Sequence, residues 1–289
     1  MNKTLRIGLT LLLGATLLVG CADKESTGIK EDSTISVISR EDGSGTRGAF
    51  TELIKIEEKD ANGNKVDHTT KEATIAPKTD VMLANVSGDE LAIGYISLGS
   101  VNESIKAMKI DGVEPTSKNV KNGTYKIARP FNIAIKGDAT GLTKDFIIYI
   151  LSAEGQEVVA ESYIPITDGA PKYSGDAPAG KIVVAGSSSV TPIMEKLKEA
   201  YELINPNAEI EIQLSDSTSG MNAAIDGICD IGMASRSLKD SEKEALNGIE
   251  IAIDGIAVIA NKTNSRDDLT TENVKDIFTG AVTKWSEIR

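Results

Sequence analysis

The chain has 289 residues, with 31 Lys and Arg against 43 Asp and Glu, for a formal net charge of −12. That balance excludes a nucleic-acid partner, because no basic stripe is present to neutralise phosphates. One histidine and two cysteines exclude a His/Cys zinc centre, and no metal or cofactor is expected. Aromatic residues make up only 4%, and the apolar content is mostly Ile, Ala, Val and Leu, the composition of sheets flanked by helices.

Lys3 and Arg6 precede an apolar run over 9–19 that is too short to span a bilayer. Leu18-Val19-Gly20-Cys21 resembles a bacterial lipoprotein signal, which implies that Cys21 is lipidated and begins the mature chain. An ordinary secretory signal with an incidental cysteine is the duller alternative. Residues 22–32 are polar and read as a tether to acyl chains at the outer face of the cell membrane. Removing 1–21 takes away two cations and no acid, so the body carries about −14. Cys229 is then the only cysteine left, which rules out an internal disulfide. A body of roughly 250 residues is long enough for two domains, and a monomer is expected.

Along the body, strand-like runs alternate with helical patterns, predicting an α/β fold. A strand over 35–38 leads into Ser39-Arg40-Glu41-Asp42-Gly43-Ser44-Gly45-Thr46-Arg47 and a helix over 48–56. Residues 59–70, with Asn62-Gly63-Asn64, read as an exposed turn or hairpin. A helix over 79–87 and a buried strand over 92–96 follow. Short strands are expected at 107–110, 125–128 and 131–135, then one amphipathic helix over 143–162. The Gly- and Pro-rich stretch 168–180 is the clearest linker. A strand over 182–185 leads into Gly186-Ser187-Ser188-Ser189-Val190-Thr191-Pro192, with Pro192 in a first helical turn. The alternating Ile210, Ile212 and Leu214 lead into Ser215-Asp216-Ser217-Thr218-Ser219-Gly220-Met221. An apolar strand over 251–260 and a helix over 271–278 close the chain.

Three of these junctions place small hydroxyl residues where a strand hands over to a helix. A helix start has unpaired N–H groups and a partial positive charge, so several converging on one point form an anion site. Hydroxyls add donors suited to a tetrahedral oxyanion, and glycines let the backbone approach it. Any one loop is explained by helix capping; the three together favour the anion. Capture by neutral dipoles suits an acidic protein better than capture by a lysine cluster. A serine hydrolase is the rival reading, but His68 is the only histidine and lies in a charged turn beside Asp67, so a catalytic triad is not expected.

At these residues the chain resembles the phosphate-binding proteins of bacterial ABC phosphate importers, the PstS family. The segment from Gly186-Ser187-Ser188-Ser189 through Asp230-Ile231-Gly232-Met233-Ala234-Ser235-Arg236 is similar to that family's beginning. Ile277-Phe278-Thr279-Gly280 and Lys284-Trp285-Ser286-Glu287-Ile288 are similar to its middle. Asp42-Gly43-Ser44-Gly45-Thr46 is similar to its next phosphate loop, and Gly94-Tyr95 and Arg129-Pro130 to later parts. The order therefore differs from the family's, as in a circular permutation joined through 168–180; a piece of a tandem gene is the alternative. Permutation requires the chain ends near residues 33 and 289 to be neighbours.

The resemblance implies a two-lobed, type II periplasmic-binding-protein fold that closes by a hinge. One lobe is expected to be split, 33–130 plus 256–289, and the other to cover 136–249, with crossovers near 131–135 and 251–257. It implies capture of inorganic phosphate for an importer permease. A surface adhesin or signalling lipoprotein, or a binder of sulfate, is the alternative. The expected ligand residues are Arg40, the one cation; Asp42, orienting Arg40; Ser44, Gly45 and Thr46; Ser188, Ser189, Val190 and Thr191; Ser217, with Thr218 or Ser219 as near alternatives; and Ser235. Arg47 is as readily a solvated helix residue. Many family members use an aspartate to accept the proton of monohydrogen phosphate, and Ser235, followed by Arg236, occupies that position here. Either Asp216 or Asp42 substitutes for it, or selectivity against sulfate is weaker.

Overall fold

The computed structural model describes residues 32–288, so the signal expected at 1–21 with Cys21, and the tether up to residue 31, lie outside the described residues. The β-branched run at the start becomes β1 (Ser36–Arg40). It ends in a loop whose Ser44 caps α1 (Gly45–Leu53), the Oγ accepting the N–H of Arg47 at 3.3 Å. That cap starts the helix before the expected residue 48. The polar stretch beyond is a hairpin of β2 (Glu57–Lys59) and β3 (Lys65–Asp67), with Asp60 accepting the N–H groups of Asn62 and Asn64 at its turn. Then come β4 (Thr74–Ala76), α2 (Thr79–Gly88) and β5 (Ala92–Ser97), the last buried throughout.

The strand expected at 107–110 divides into β6 (Ile105–Ala107) and β7 (Lys109–Ile110), which join different sheets. After α3 (Ser117–Lys121), residues 125–128 do not form a separate strand. Tyr125 is instead anchored through its hydroxyl to the Ile256 carbonyl at 2.8 Å, and Ala128 opens β8 (Ala128–Ile135). The helix expected over 143–162 is two, α4 (Gly141–Ile150) and α5 (Ala153–Ala160). Ser152 breaks it: the Oγ donates to the Tyr149 carbonyl at 2.6 Å and accepts the Gly155 N–H at 3.2 Å. The bend is tight enough that a Cβ on Gly155 would fall 2.1 Å from the Tyr149 carbonyl oxygen.

The linker lacks regular structure but is tied down by Tyr173, which donates to Asp145, until β9 (Gly180–Ser187) begins. The helix α6 (Thr191–Ile204) buries Ile193, Met194, Leu197 and Tyr201. It leads through β10 (Ala208–Ser215), α7 (Ser217–Asp226), β11 (Ile231–Ala234) and α8 (Asp240–Ala245) to the long β12 (Asn247–Asn261). The elements β13 (Asp268–Leu269) and α9 (Thr271–Thr279) follow.

The main ladder runs β10-β9-β11-β8-β12-β5-β1-β4. Its two flanks, β10-β9-β11 and β5-β1-β4, are parallel, while β12 is antiparallel to both β8 and β5. The first part of β12 pairs with β8 and its last part, Ile256–Ala260, with β5. It thus runs between the two largest of the four apolar clusters among the described residues. One contains Phe146, Val184, Ile193, Leu197 and Tyr201; the other contains Phe50, Tyr95, Val258, Ile277 and Phe278. Parallel flanks with helices behind them bring strand C-termini and helix N-termini to facing edges, where ligands bind in open α/β sheets. The two ends of the described region meet: Ile35 donates to the Thr283 carbonyl at 2.8 Å, and Thr34 bridges Lys284.

Candidate anion-binding site

Arg40 ends β1 with its side chain almost completely buried. Nε and Nη2 each donate to Glu41 at 2.7 Å, a paired contact; Nε also reaches the Ala76 carbonyl at 3.2 Å and Nη2 the Ser188 hydroxyl at 3.0 Å. Nη1 is buried and has no partner among the described residues. Tyr95 supports the strand end from behind: its hydroxyl lies 2.9 Å from the Ser39 Oγ and accepts the Arg40 N–H at 3.2 Å. Its ring stacks on Phe50 at 3.9 Å, and burial pushes the phenol up to about 12.

Around this guanidinium, hydroxyls from helix starts on both sides of the ladder come together. Thr46 Oγ1 lies 2.8 Å from Ser189 Oγ and 3.5 Å from Ser235 Oγ. Ser217 Oγ is 3.4 Å from Ser235 Oγ and accepts the Ser235 N–H at 3.1 Å. Thr79 Oγ1 sits 3.3 Å from Ser188 Oγ and 3.4 Å from Ser189 Oγ. All these residues are buried. Thr46 lies in the first turn of α1, while Thr79 and Ser217 open α2 and α7 and Ser188-Ser189 lead into α6, so four helix N-termini face one point. The two sides are latched beside it, because the Thr218 N–H and hydroxyl both donate to the Gly43 carbonyl at 3.2 Å.

Of the expected residues, Arg40, Gly45, Thr46, Ser188, Ser189, Ser217 and Ser235 converge. Gly45 is there for its lack of a side chain: a Cβ would lie 2.4 Å from Ser217 Oγ and 2.8 Å from Ser235 Oγ. Ser44, Val190 and Thr191 shape the loops. Ser44 caps α1, Val190 packs its side chain in the core, and Thr191 Oγ1 donates to the Ser187 carbonyl at 3.1 Å. Asp42 does not orient Arg40. Its side chain is 99% exposed and pairs with Arg47 at 2.7 Å, while Glu41 holds the guanidinium. Ser219 turns outward, its N–H and Oγ both taken by the Asp216 carboxylate, which caps α7. Asp216 and Asp42 therefore place no carboxylate in the cluster. Arg47 is not simply solvated: it also pairs with Asp67 at 2.8 Å and donates to the Arg40 carbonyl at 3.1 Å.

Two contributors were missed. Thr79 carried part of a readable signal, a hydroxyl residue opening a helix just after a short strand, without the glycine found at the three named loops. Nothing in the sequence separates Glu41 from Asp42. A cavity of 690 Å³ opens beside the cluster, with Gly43, Ser44, Thr218 and Arg236 in its walls. His68 makes no hydrogen bond to these hydroxyls; it neighbours Ile56, Glu58 and Lys275 in a different pocket. The arrangement offers many donors, hydroxyl oxygens as acceptors and one half-satisfied guanidinium, but no base to activate a serine.

The PBP superfamily domain matches residues 23–154 and 171–288. The chain is 54% identical over 272 residues to phosphate-binding protein PstS 2 of Streptococcus agalactiae serotype V, covering 93% of this chain and 92% of that protein. It is similar to the crystal structure of a phosphate ABC transporter, phosphate-binding protein from Streptococcus pneumoniae, with a TM-score of 0.71 and 43% identity. That match covers 89% of this chain and 100% of the other. Similarity to the phosphate-binding protein PstS of Bacillus subtilis is partial: 34% over 141 residues, covering 48% of this chain and 44% of that protein.

Proposed function

Because this chain belongs to the PstS-type phosphate-binding proteins of the PBP superfamily, we propose that it captures inorganic phosphate outside the cytoplasm for the permease of an ABC importer. It is a binding protein, not an enzyme. One observation carries the reading most directly: the buried Nη1 of Arg40 lacks a partner amid hydroxyls contributed from both sides of a cleft. A buried donor left unpaired is costly, and a charge-assisted bond to an oxyanion would satisfy it. In this reading Arg40, Thr46, Thr79, Ser188, Ser189, Ser217 and Ser235 hold the phosphate oxygens, and the helix starts supply the remaining field. Glu41 already offsets the Arg40 charge, so neutral dipoles provide most of the attraction. With both Glu41 oxygens engaged by Arg40 and neither Asp42 nor Asp216 in the cluster, preference for phosphate over sulfate rests on hydroxyl acceptors and is modest.

The proposal includes two lobes, 33–130 with 256–289 and 136–249, closing about β8 and β12, and a lipid anchor on Cys21. It also includes a permuted order relative to other branches of the family. The pairing of Thr34 with Lys284 supports that order, and so does the partial Bacillus match: a collinear alignment between chains with exchanged halves recovers one half at a time. The streptococcal relative aligns along nearly its full length and would share the order. Isothermal titration of the body from residue 22 with phosphate, sulfate and arsenate tests the function. Saturable heat with phosphate supports it; no heat with any of the three overturns it.

A further inference from the structure

Directly behind the hydroxyl cluster lies a second buried guanidinium that no ligand role uses. Arg129 and Asp254 are register partners on β8 and β12, the strands that run between the two cores, and both are buried. Arg129 Nε and Nη2 donate to Asp254 Oδ2 at 3.3 and 3.1 Å. Asp254 Oδ1 accepts the Ser97 hydroxyl at 3.0 Å, tying the pair to the end of β5. The remaining arm of the fork, Nη1, donates to the backbone carbonyl of Ser235 at 2.9 Å. Pro130 follows Arg129 and biases it to an extended backbone, and the Phe131 ring lies 5.2 Å from the guanidinium carbon.

A buried ion pair alone is weak evidence of purpose, since its desolvation offsets much of its attraction. The third contact distinguishes this one. A fork that grips a carboxylate with two nitrogens and a carbonyl with the third fixes the peptide joining Ser235 to Arg236. That same residue offers its hydroxyl to Thr46 and Ser217. A lysine has one nitrogen on a shorter reach and cannot reproduce the three separate contacts of the fork.

We propose that Arg129 is a positioning residue of the anion site, clamping the Ser235 peptide to the strands that cross between the cores so that the Ser235 hydroxyl is held ready for phosphate. The proposal rests on the phosphate-binding reading above. The test uses the full body from residue 22 with inorganic phosphate, and the unsubstituted protein is titrated first. Arg129→Lys keeps the pair with Asp254 and gives up the Ser235 contact. It is expected to melt within a few degrees of the parent, to bind phosphate about five- to tenfold more weakly, and to shift the Ser235 and Arg236 amide resonances. The double change Arg129→Gln with Asp254→Asn removes both charges together, so it keeps no unpaired ion, and is expected to weaken phosphate binding more than tenfold.

Phosphate affinity within twofold of the parent in either variant overturns the proposal. Weakened binding with unmoved Ser235 and Arg236 amides overturns it too, since the effect would then not pass through that peptide. If the unsubstituted protein gives no heat with phosphate, the phosphate reading itself fails, and this inference falls with it.

Discussion

Gly45→Ala separates the geometry of the cleft from its chemistry. Alanine keeps the backbone N–H at the start of α1 and removes no polar group. The added Cβ would sit 2.4 Å from Ser217 Oγ, 2.8 Å from Ser235 Oγ and 3.1 Å from Arg236 Cγ, all across the cleft from α1. Relieving such contacts requires a shift of about 1 Å, and overpacking of this kind costs about 1–3 kcal/mol. The cost falls on the closed form, so phosphate affinity should drop by about 5- to 150-fold. The ligand-free protein, if it opens, escapes the clash and gains from the better helix former. Its melting temperature should therefore hold or rise while binding weakens. Gly48→Ala is the control: it lies on the same helix, and nothing approaches its Cβ position within 4 Å. It should stabilise by about 0.5–1 kcal/mol and leave affinity unchanged. Titration calorimetry and thermal melts on both variants give the answer. Gly45→Ala binding as tightly as the parent would refute the closed-cleft geometry.

Arg40→Met should weaken phosphate binding about 100-fold or more, the loss of roughly 3 kcal/mol of charge-assisted hydrogen bonding, read by the same titration. Asp42→Asn should change affinity less than twofold, because Asp42 is exposed and pairs only with Arg47; a tenfold loss would return Asp42 to the site. Ser152→Ala should cost about 1 kcal/mol by uncapping α5, seen as a small drop in the melting temperature with phosphate affinity intact. Burial raises the Asp254 carboxyl to about 6, despite Arg129 opposing the shift. Between about pH 4 and pH 6 the folded chain therefore holds a proton there that the unfolded chain has released, and above that range the pair with Arg129 is ionised. The associated stability is fully present below about pH 4 and is lost as pH rises through about 6. Melts of Asp254→Asn against the parent should show the difference moving in the variant's favour between pH 4.5 and 7; a constant difference would contradict the raised value.

The strand-to-helix junctions were legible because their signal is local: a β-branched run, a hydroxyl, a glycine and a helical period lie within a dozen residues. Thr79 carries only part of that signal: it opens a helix after a three-residue strand, with no glycine beside it. What escaped depends on choices made at a distance or between near equals. Glu41 and Asp42 are both acids one and two places beyond Arg40, and only the direction in which each leaves the strand decides that one grips the guanidinium while the other faces water. The helix over 143–162 kept its apolar period across Ser152, but the period is blind to a side chain that bonds to its own backbone and ends the turn. Residues 125–128 were expected as a strand, yet Tyr125 is held by its hydroxyl on a carbonyl far along the chain, a contact no local pattern shows.

The same distinction explains how an acidic body can attract an anion at all. The overall charge of −12 acts through solvent and is screened within about 8–10 Å at ordinary salt. The groups at the cluster act over hydrogen-bond distances inside a region from which both cores exclude water. There Arg40 is balanced by Glu41 and Arg129 by Asp254, so the two buried guanidiniums add little net charge. What remains is geometry: helix starts and hydroxyls fixed by strands on two sides. Phosphate affinity should accordingly depend only weakly on ionic strength. A steep fall with added chloride would point to surface cations in place of this buried cradle.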